Sequence, residues 1–462
     1  MSKRMYLNAF DMNCVGHQSP GLWTHPDDQG YRYKDLRYWT DLARLLERGR
    51  FDGLFLADVL GIYDVYENSR DAAVRQAAQV PVNDPILLVS AMAHVTKHLG
   101  FGITCALTFE HPYIFARRMS TLDHITEGRV GWNIVTSYLD SAAKNIGLER
   151  QIAHDERYDL AEEYMEVCYK LWEGSWEDDA VIRDKANKVF TDPAKIHDIG
   201  HHGKYFKVPG IHLCEPSPQR TPVLYQAGAS KRGRDFSAKH AECVFIVGPT
   251  IETVKQIVKG IRENAARQGR NPDGLLIFTL FTVIVGETEQ EAQAKYADYA
   301  KHISYEGALA LYGGWSGLDL SAYDPDCELE YIESNASQTA IDVFTKIDPN
   351  KKWTVREIAH FVGIGGLGPV VVGSPRQVAD AMQRWMEETG IDGFNLAYAV
   401  TPGTFEDFVD LVVPELQRRG VLKQEYEEGT LREKLFGKGK ARLQDDHPGA
   451  AYRRLSKANA TV

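Results

Sequence analysis

Short apolar runs of strand length alternate with amphipathic helical patterns along most of the chain. The pattern predicts eight strands, at residues 5–10, 53–57, 101–107, 130–137, 223–228, 243–248, 276–286 and 393–398. The stretches between them include helices such as residues 33–49, where Leu36, Trp39, Leu42 and Leu46 recur at helical spacing. Strands that are apolar on both faces and are each followed by a helix indicate parallel βα units. Eight such units predict an α/β fold of the (β/α)₈ TIM-barrel type, with an open doubly wound sheet as the alternative.

Three long stretches interrupt the βα repeat, at residues 61–81, 177–221 and 301–372. In a barrel, segments that follow strands build the active-site face, so the first and third are expected to form walls or lids of a pocket. The second precedes the fifth strand and would start from the opposite face. We therefore expect one barrel with insertions over residues 1–440 and a C-terminal extension at 441–462, packed along the barrel or a neighbouring subunit.

The composition gives no signal for nucleic acid or a membrane. The 462 residues are 44% hydrophobic and carry a formal net charge of −11. No basic stripe approaches the charge density that binds a phosphate backbone, so nucleic acid is not an expected partner. The N-terminus has no secretory pattern, and no apolar run reaches the roughly 20 residues that a bilayer requires. We expect a cytoplasmic protein whose six scattered cysteines are reduced thiols.

Several short catalytic motifs fail on context. Residues 363–368 formally match G-x-G-x-x-G, but a helix-like run precedes them and Pro369 with three valines follows, whereas a dinucleotide loop joins a strand to a helix. A flexible loop is the preferred interpretation. The sequence has no phosphate loop, no H-E-x-x-H and no nucleophile elbow. We therefore expect no nicotinamide or nucleoside-triphosphate site, no metal and no serine-hydrolase chemistry.

Polar and small residues gather where the predicted strands end, which is where barrels bind ligands. The segment QAGASKRGRDF is the most informative, because small residues let the backbone approach a ligand and Ser230 falls where a helix would begin. Free N–H groups there favour a phosphate, although an ordinary turn capped by Ser230 is an equal alternative. His17, Tyr63, Gln79 and Tyr138 either face the same pocket or are loop residues, and Trp315 is either a lid aromatic or a packing anchor.

Six long motifs in register resemble those of the bacterial-luciferase-like flavin-dependent monooxygenases. They are NAFDMNCVGHQSPGLWTHP, FDGLFLADVLGIYDVY, RRMSTLDHITEGRVGWNIVTS, HDERYDLAEEYMEVCYKLWE, KYFKVPGIHLCEPSPQRTPVLYQAGASKRGRDF and GIDGFNLAY. The resemblance runs from near residue 5 to about residue 440. It is closest to the branch that holds nitrilotriacetate, EDTA, dibenzothiophene-sulfone, long-chain alkane and dimethyl sulfide monooxygenases together with riboflavin lyase.

This resemblance implies a two-component system. A separate NAD(P)H:flavin reductase would supply reduced FMN, which reacts with O₂ as co-substrate to give a peroxyflavin that needs a dry pocket. A homodimer or homotetramer is implied as well. The cofactor site carried over by motif consists of Asp58, Thr104, Asn133, Ser137, Tyr158, Gly228, Ala229 and Ser230.

The resemblance also implies catalytic and substrate-binding residues. His17 is the first choice as acid or base because its unperturbed pKa lies near neutrality, and Tyr138 would hydrogen-bond the oxygen adduct or move a proton. The segment 312–317 would form a lid. The residues expected against the substrate are Cys14, Tyr63, Gln79 and Trp315.

The substrate stays open. The segments around Cys14 and after Gly61 are most similar to the alkane, dimethyl sulfide and riboflavin-lyase members. The alkane pattern has histidine where this chain has Tyr138, and another near Leu311, which disfavours an alkane. We expect one oxygen atom of O₂ to enter a small, largely apolar molecule: a dialkyl sulfide, another organosulfur compound, a halogenated compound or an alkane. The alternatives are a lyase that cleaves riboflavin to lumichrome and ribose, and a non-catalytic flavin-binding protein.

Overall fold

A closed barrel of eight parallel strands organises the computed structural model, which describes residues 3–228, 230–330, 338–345 and 352–453. The barrel strands are β1 (Tyr6–Met12), β2 (Gly53–Ala57), β3 (Gly100–Ala106), β4 (Val130–Val135), β9 (Val223–Gln226), β10 (Cys243–Ile246), β11 (Leu276–Val285) and β13 (Gly393–Ala397). The other strands are β5 (Val181–Asp184), β6 (Val189–Thr191), β7 (His201–His202), β8 (Lys207–Val208) and β12 (Val370–Gly373). The eight predicted strands correspond to the eight barrel strands.

Pairing of β10 with β11 closes the sheet. Their register runs from Cys243 opposite Leu276 to Ile246 opposite Thr279, and β11 also pairs with β13, which pairs with β1. The (β/α)₈ prediction is therefore confirmed, and the open doubly wound sheet is excluded. Because all barrel pairings are parallel, the carboxyl ends of the eight strands lie at one rim.

Helices surround the barrel and cover both of its ends. Their bounds are α1 (Leu36–Arg48), α2 (Asp71–Arg75), α3 (Ile86–His94), α4 (Pro112–Ile125), α5 (Asp140–Asn145), α6 (His154–Gly174), α7 (Lys231–His240), α8 (Ile251–Arg267), α9 (Glu289–Ala300), α10 (Tyr305–Ser316), α11 (Gln338–Thr345), α12 (Val355–Val362), α13 (Pro375–Thr389), α14 (Gly403–Asp407), α15 (Val413–Arg418) and α16 (Leu431–Phe436). A π-helical turn, Phe408–Val412, joins α14 to α15. In the described part of the chain, no helix combines the length and the apolar character needed to cross a bilayer.

Helix α16 plugs the amino end of the barrel. Its Leu431 and Leu435 are buried against Phe55, Tyr225 and Phe278. The intervening Arg432 is fully buried, pairs with Glu242 at 2.7 Å and donates to three backbone carbonyl groups of residues 219–222. Residues 441–453 then pack against α6 and α7, where His447 Nε2 lies 2.8 Å from the backbone oxygen of His240.

The insertions after β2 and β11 meet over the opposite end, the carboxyl rim. Helix α10 packs on α2 and α12, and its Leu309, Leu311 and Tyr312 are buried in a second apolar cluster with Tyr63 and Ile358. Residues 312–317, which were expected to form a lid, lie at the end of α10, whose apolar residues are buried on both faces between neighbouring helices. The segment between α6 and β9 instead carries the hairpins β5–β6 and β7–β8.

The glycine-rich segment 363–368 is a buried wall and not a flexible loop, which corrects the sequence interpretation. It connects α12 to β12, a strand that the sequence pattern did not reveal. Strand β12 pairs with the outer half of β11, from Thr282 to Val285, while the inner half of β11 pairs with β10 and β13. Gly365 and Gly366 adopt left-handed φ values of 79° and 65°, a conformation that favours glycine.

Candidate active site

A cavity opens at the carboxyl rim under α10. One part encloses about 390 Å³ and an adjoining part about 830 Å³, and both are lined by Phe10, Asp58, Gly228 and Leu280. The first part brings together most of the predicted site residues, namely His17, Asp58, Tyr63, Gln79, Ser137, Tyr138, Tyr158, Gly228, Ser230 and Trp315. Thr104 and Asn133 line the second part. Two predicted residues are not placed on the wall. Cys14 is buried behind it with its thiol directed to the Gly16 carbonyl at 3.4 Å, and Ala229 lies outside the described residues.

The amino end of α7 forms one end of the cavity. Ser230 caps this helix, its Oγ accepting from the Gly233 N–H at 2.9 Å, so the predicted cap and the predicted ligand position coincide in one residue. The Tyr158 hydroxyl hydrogen-bonds Ser230, and a Cβ on Gly233 would lie 2.7 Å from that hydroxyl. His154 and Arg157, on the first turn of α6, also line the cavity. Hydroxyl groups, a guanidinium and a helix N-terminus are the donors that a phosphate needs.

The floor of the cavity is polar. Asn133 Nδ2 donates to Thr104 Oγ1 at 2.9 Å across β3 and β4. The side-chain oxygens of Asn133, Gln226 and Asn395 are buried without a hydrogen-bond partner among the described residues. Unpaired buried acceptors are costly, so this floor matches a ligand that brings N–H or O–H groups of its own.

A chain of hydrogen bonds crosses the roof of the cavity. Tyr63 Oη donates to Gln79 Oε1 at 2.8 Å and lies 3.1 Å from Tyr138 Oη, while Gln79 Nε2 donates to the His17 carbonyl at 2.8 Å. Burial raises the pKa of Tyr138 to about 12, so the phenol stays neutral. Since the Tyr63 proton is used on Gln79, the Tyr138 hydroxyl donates to Tyr63. Gln79 is held at a left-handed φ of 56°, a strained conformation of the kind that gathers at functional sites.

His17 differs from its sequence interpretation. Burial lowers its pKa to about 3, with a backbone interaction at Phe10 opposing the shift. The ring packs edge-on against Phe10 at 4.4 Å between centroids. The argument that His17 titrates near neutrality is therefore wrong, because the sequence could not show that the imidazole is removed from water without a counter-ion. At neutral pH His17 is an uncharged hydrogen-bonding group.

Asp58 shows the opposite shift at the end of β2. Burial raises its pKa to about 7, and the negative charge of Asp84 adds to that effect. Asp58 lines both parts of the cavity. A carboxyl group that is half protonated near neutrality changes the charge of the cavity over the physiological pH range.

Sequence reasoning missed many of the lining residues, among them Gln18, His154, Arg157, Leu367 and Asn395. In the HDERY motif, His154 lies three residues before Arg157 and four before Tyr158, which is the spacing of one helix face. The sequence therefore contained a signal that could have added His154 and Arg157 to the predicted site. Leu367 belongs to the glycine segment, whose burial only the fold reveals. Among the described residues, no group of three or more His, Cys, Asp or Glu side chains is placed to hold a metal ion.

The model of the luciferase-like monooxygenases matches residues 10–393. The chain belongs to this family. It is 57% identical over 453 residues to the dimethyl-sulfide monooxygenase of Hyphomicrobium sulfonivorans, covering 98% of this chain and 94% of that protein. It is 59% identical over 456 residues to the long-chain alkane monooxygenase of Geobacillus thermodenitrificans (strain NG80-2), covering 99% of each.

A solved structure of riboflavin lyase with modified FMN and riboflavin is also similar to this luciferase-like monooxygenase. It superposes with a TM-score of 0.91 at 38% identity and covers 98% of this chain and 100% of that chain. The family, the fold and the general activity that the motifs implied are thereby confirmed.

Ser230→Asp should weaken FMN binding to this monooxygenase at least tenfold, about 1.4 kcal/mol, because a negative charge would oppose the phosphate. Aspartate is as good a helix cap as serine, so thermal unfolding should change little. Ser304→Asp is the matched control, since Ser304 caps α10 by accepting from Gly307 N at 2.9 Å. Isothermal titration calorimetry measures the FMN affinity of both variants. Equal affinities for the two variants would place the phosphate elsewhere.

The affinity for flavin should fall as pH rises through 7, because ionised Asp58 repels an anionic ligand. Asp58→Asn removes that charge. The variant should match the native protein at pH 5.5 and bind more tightly at pH 8.5, by severalfold. Titration of both proteins with FMN at each pH gives the comparison, because the phosphate of FMN titrates in the same way in both experiments. Parallel pH profiles for the two proteins would show that Asp58 does not face the ligand.

Gly314→Ala should disturb the roof, because its Cβ would lie 1.9 Å from the Tyr63 ring. Overpacking of this kind costs about 1–3 kcal/mol and would shift Tyr63 away from Gln79. The expected result is more hydrogen peroxide for each reduced FMN consumed. Gly313→Ala is the control on the same helix, since its nearest contact would be 3.1 Å. Peroxide assays in the presence of a reductase measure the leakage, and equal yields for the two variants would contradict the prediction.

Proposed function

We propose that the chain is the oxygenating component of a two-component system that uses reduced FMN and O₂ on a small, largely apolar organic molecule. One observation carries this proposal. A single cavity at the barrel rim has phosphate-type donors at the α7 end and an apolar wall at the other end, with neutral hydrogen-bonding groups between them.

The residues present fit FMN. Ser230, Tyr158 and Arg157 would hold the phosphate at the amino end of α7. The unpaired oxygens of Asn133, Gln226 and Asn395 would accept from the N–H and ribityl O–H groups that a flavin brings. When bound and reduced, this cofactor supplies the reaction with O₂. The related riboflavin lyase was solved with modified FMN. The protein's part is then to position the ring, exclude water and control protons.

The reductase is proposed as a separate protein. The glycine motif 363–368 runs from a helix into a strand and is buried, which is the reverse of a dinucleotide-binding turn. A similar protein is named component A of nitrilotriacetate monooxygenase, at 36% identity over 90% of this chain. We propose that an NAD(P)H:flavin reductase delivers reduced FMN by diffusion. A homodimer or homotetramer remains part of the proposal.

The substrate class follows from the wall opposite the phosphate end. Its side chains are apolar or neutral: Met12, Val59, Leu60, Val247, Leu280, Trp315 and Leu367 with Tyr63 and Tyr138. An aminopolycarboxylate would need several cations there, and Arg157 lies at the phosphate end instead. A neutral dialkyl sulfide or similar small organosulfur compound fits this wall, and one relative is named a dimethyl-sulfide monooxygenase. An alkane or a halogenated compound is the next candidate.

Product analysis tests the proposed function. The chain is mixed with a flavin reductase, NADH, FMN and one candidate: dimethyl sulfide, a medium or long alkane, a halogenated aromatic compound or riboflavin. We expect loss of the sulfide, with O₂ uptake above that of free reduced FMN. Lumichrome and ribose from riboflavin would support the lyase suggested by the similar structure. Oxygen uptake that no candidate changes would favour a flavin-binding protein without turnover.

A further inference from the structure

The buried glycine segment 363–368 presses its backbone against the cavity residue Gln18. A Cβ on Gly366 would lie 2.1 Å from Gln18 Oε1 and 3.3 Å from the Trp315 ring. Gly366 also has a φ of 65°, which residues that carry a side chain rarely adopt. The Gln18 amide therefore lies so close to the Gly366 backbone that the side chain of any other residue at position 366 would collide with it.

Gln18 in turn fixes the state of His17. The two Nε2 atoms lie 3.0 Å apart. A carboxamide nitrogen only donates, so His17 Nε2 must be the acceptor and can carry no hydrogen. The single ring proton then sits on Nδ1. An amide turned the other way would present Oε1 to His17 Nε2 and would accept a proton from it.

The whole segment from His17 to Ser19 is held from three sides. Ser19 Oγ accepts from the Gly365 N–H at 3.1 Å and lies 3.2 Å from the Tyr398 carbonyl at the end of β13. Gln79 Nε2 donates to the His17 carbonyl at 2.8 Å. The glycine segment, β13 and the Tyr63–Gln79 chain thus converge on one short stretch, and the backbone of His17 cannot move without breaking one of these contacts.

We propose that the glycine segment 363–368 is a positioning element that holds the Gln18 amide so that it donates to His17 Nε2 and keeps His17 an uncharged, Nδ1-protonated imidazole at the cavity wall. Gln18 and Gly366 are positioning residues that act through His17. The consequence for turnover rests on the proposed function: an imidazole that cannot take a second proton cannot deliver one to the oxygen chemistry at the wrong moment.

Gly366→Ala tests the contact. The far end of Gln18 is flexible, so the new Cβ should displace the amide without unfolding the protein. The matched control is Gly390→Ala, which has the same kind of left-handed φ but lies outside the glycine segment and would meet only Val258 at 3.7 Å. Nitrogen-15 histidine spectra of the full chain report the ring state, with the His17 signal identified by its loss in His17→Ala.

The expected result is a native His17 signal of the Nδ1–H form that stays neutral down to about pH 4. In Gly366→Ala the apparent pKa of His17 should rise by at least one unit, or the Nε2–H form should appear, while Gly390→Ala keeps the native signal. A native signal in Gly366→Ala would overturn the proposal. So would a native protein whose His17 carries its proton on Nε2.

Gln18→Glu gives a second, independent test. Its carboxylate can only accept, so it should draw a proton onto His17 Nε2 and raise the pKa of His17 by two or more units. Leucine neither donates nor accepts. Gln18→Leu should therefore leave the pKa of His17 low, because burial persists, but the ring proton should no longer be confined to Nδ1. If His17 keeps its native signal in Gln18→Glu, the amide does not set its state and the proposal fails.

Turnover separates this inference from the proposed function. Suppose that the protein oxidises a candidate substrate, and that Gln18→Glu shifts the His17 signal and raises the peroxide yield in that reaction. Both the positioning role and the proposed function are then supported. A shifted signal with unchanged peroxide yield would overturn the stated consequence for turnover while leaving the positioning contact intact. A protein that oxidises no candidate would overturn the proposed function, yet the histidine spectra would still decide the positioning role.

Discussion

Pairing of β10 with β11 is the constraint on which the active site depends. In an open sheet these two strands would be edges, and the residues at their carboxyl ends would lie far apart. Closure brings Val247, which follows β10, beside Leu280 of β11, and both residues line the cavity. The plug at the other end, Leu431 and Leu435 of α16, leaves the rim as the open end of the barrel in the described residues.

Burial without counter-ions then sets the chemistry of the cavity. The pKa of His17 falls to about 3, that of Asp58 rises to about 7 and that of Tyr138 rises to about 12. All three shifts have desolvation as their largest cause, and all three favour the uncharged form. At neutral pH His17 and Tyr138 are therefore uncharged, and Asp58 is about half ionised. Arg157 and the start of α7 supply positive potential at the opposite end.

Much of this architecture was predictable from the sequence. The eight strands, the helix that begins at Ser230 and the polar residues at strand ends follow from local pattern, because periodicity and helix starts are local properties. The pKa of His17, the position of Cys14 behind the wall and the strand β12 depend on contacts between residues far apart in sequence. The sequence shows that residues 365 and 366 are glycines, but it does not show that their backbone approaches Thr282 and Gln18.

The roof of the cavity is also built from contacts between residues far apart in sequence. Gly314 lets α10 lie flat against the Tyr63 ring, and Gly366 lets its loop lie against Gln18. In both places the backbone lies where a Cβ would collide, with the Tyr63 ring at Gly314 and with the flexible end of Gln18 at Gly366. The roof therefore covers the cavity through close packing of α10 and the glycine segment. A substrate can then enter at the carboxyl rim, where Leu60 of the cavity lining is exposed, or through the wider part of the cavity beside α8.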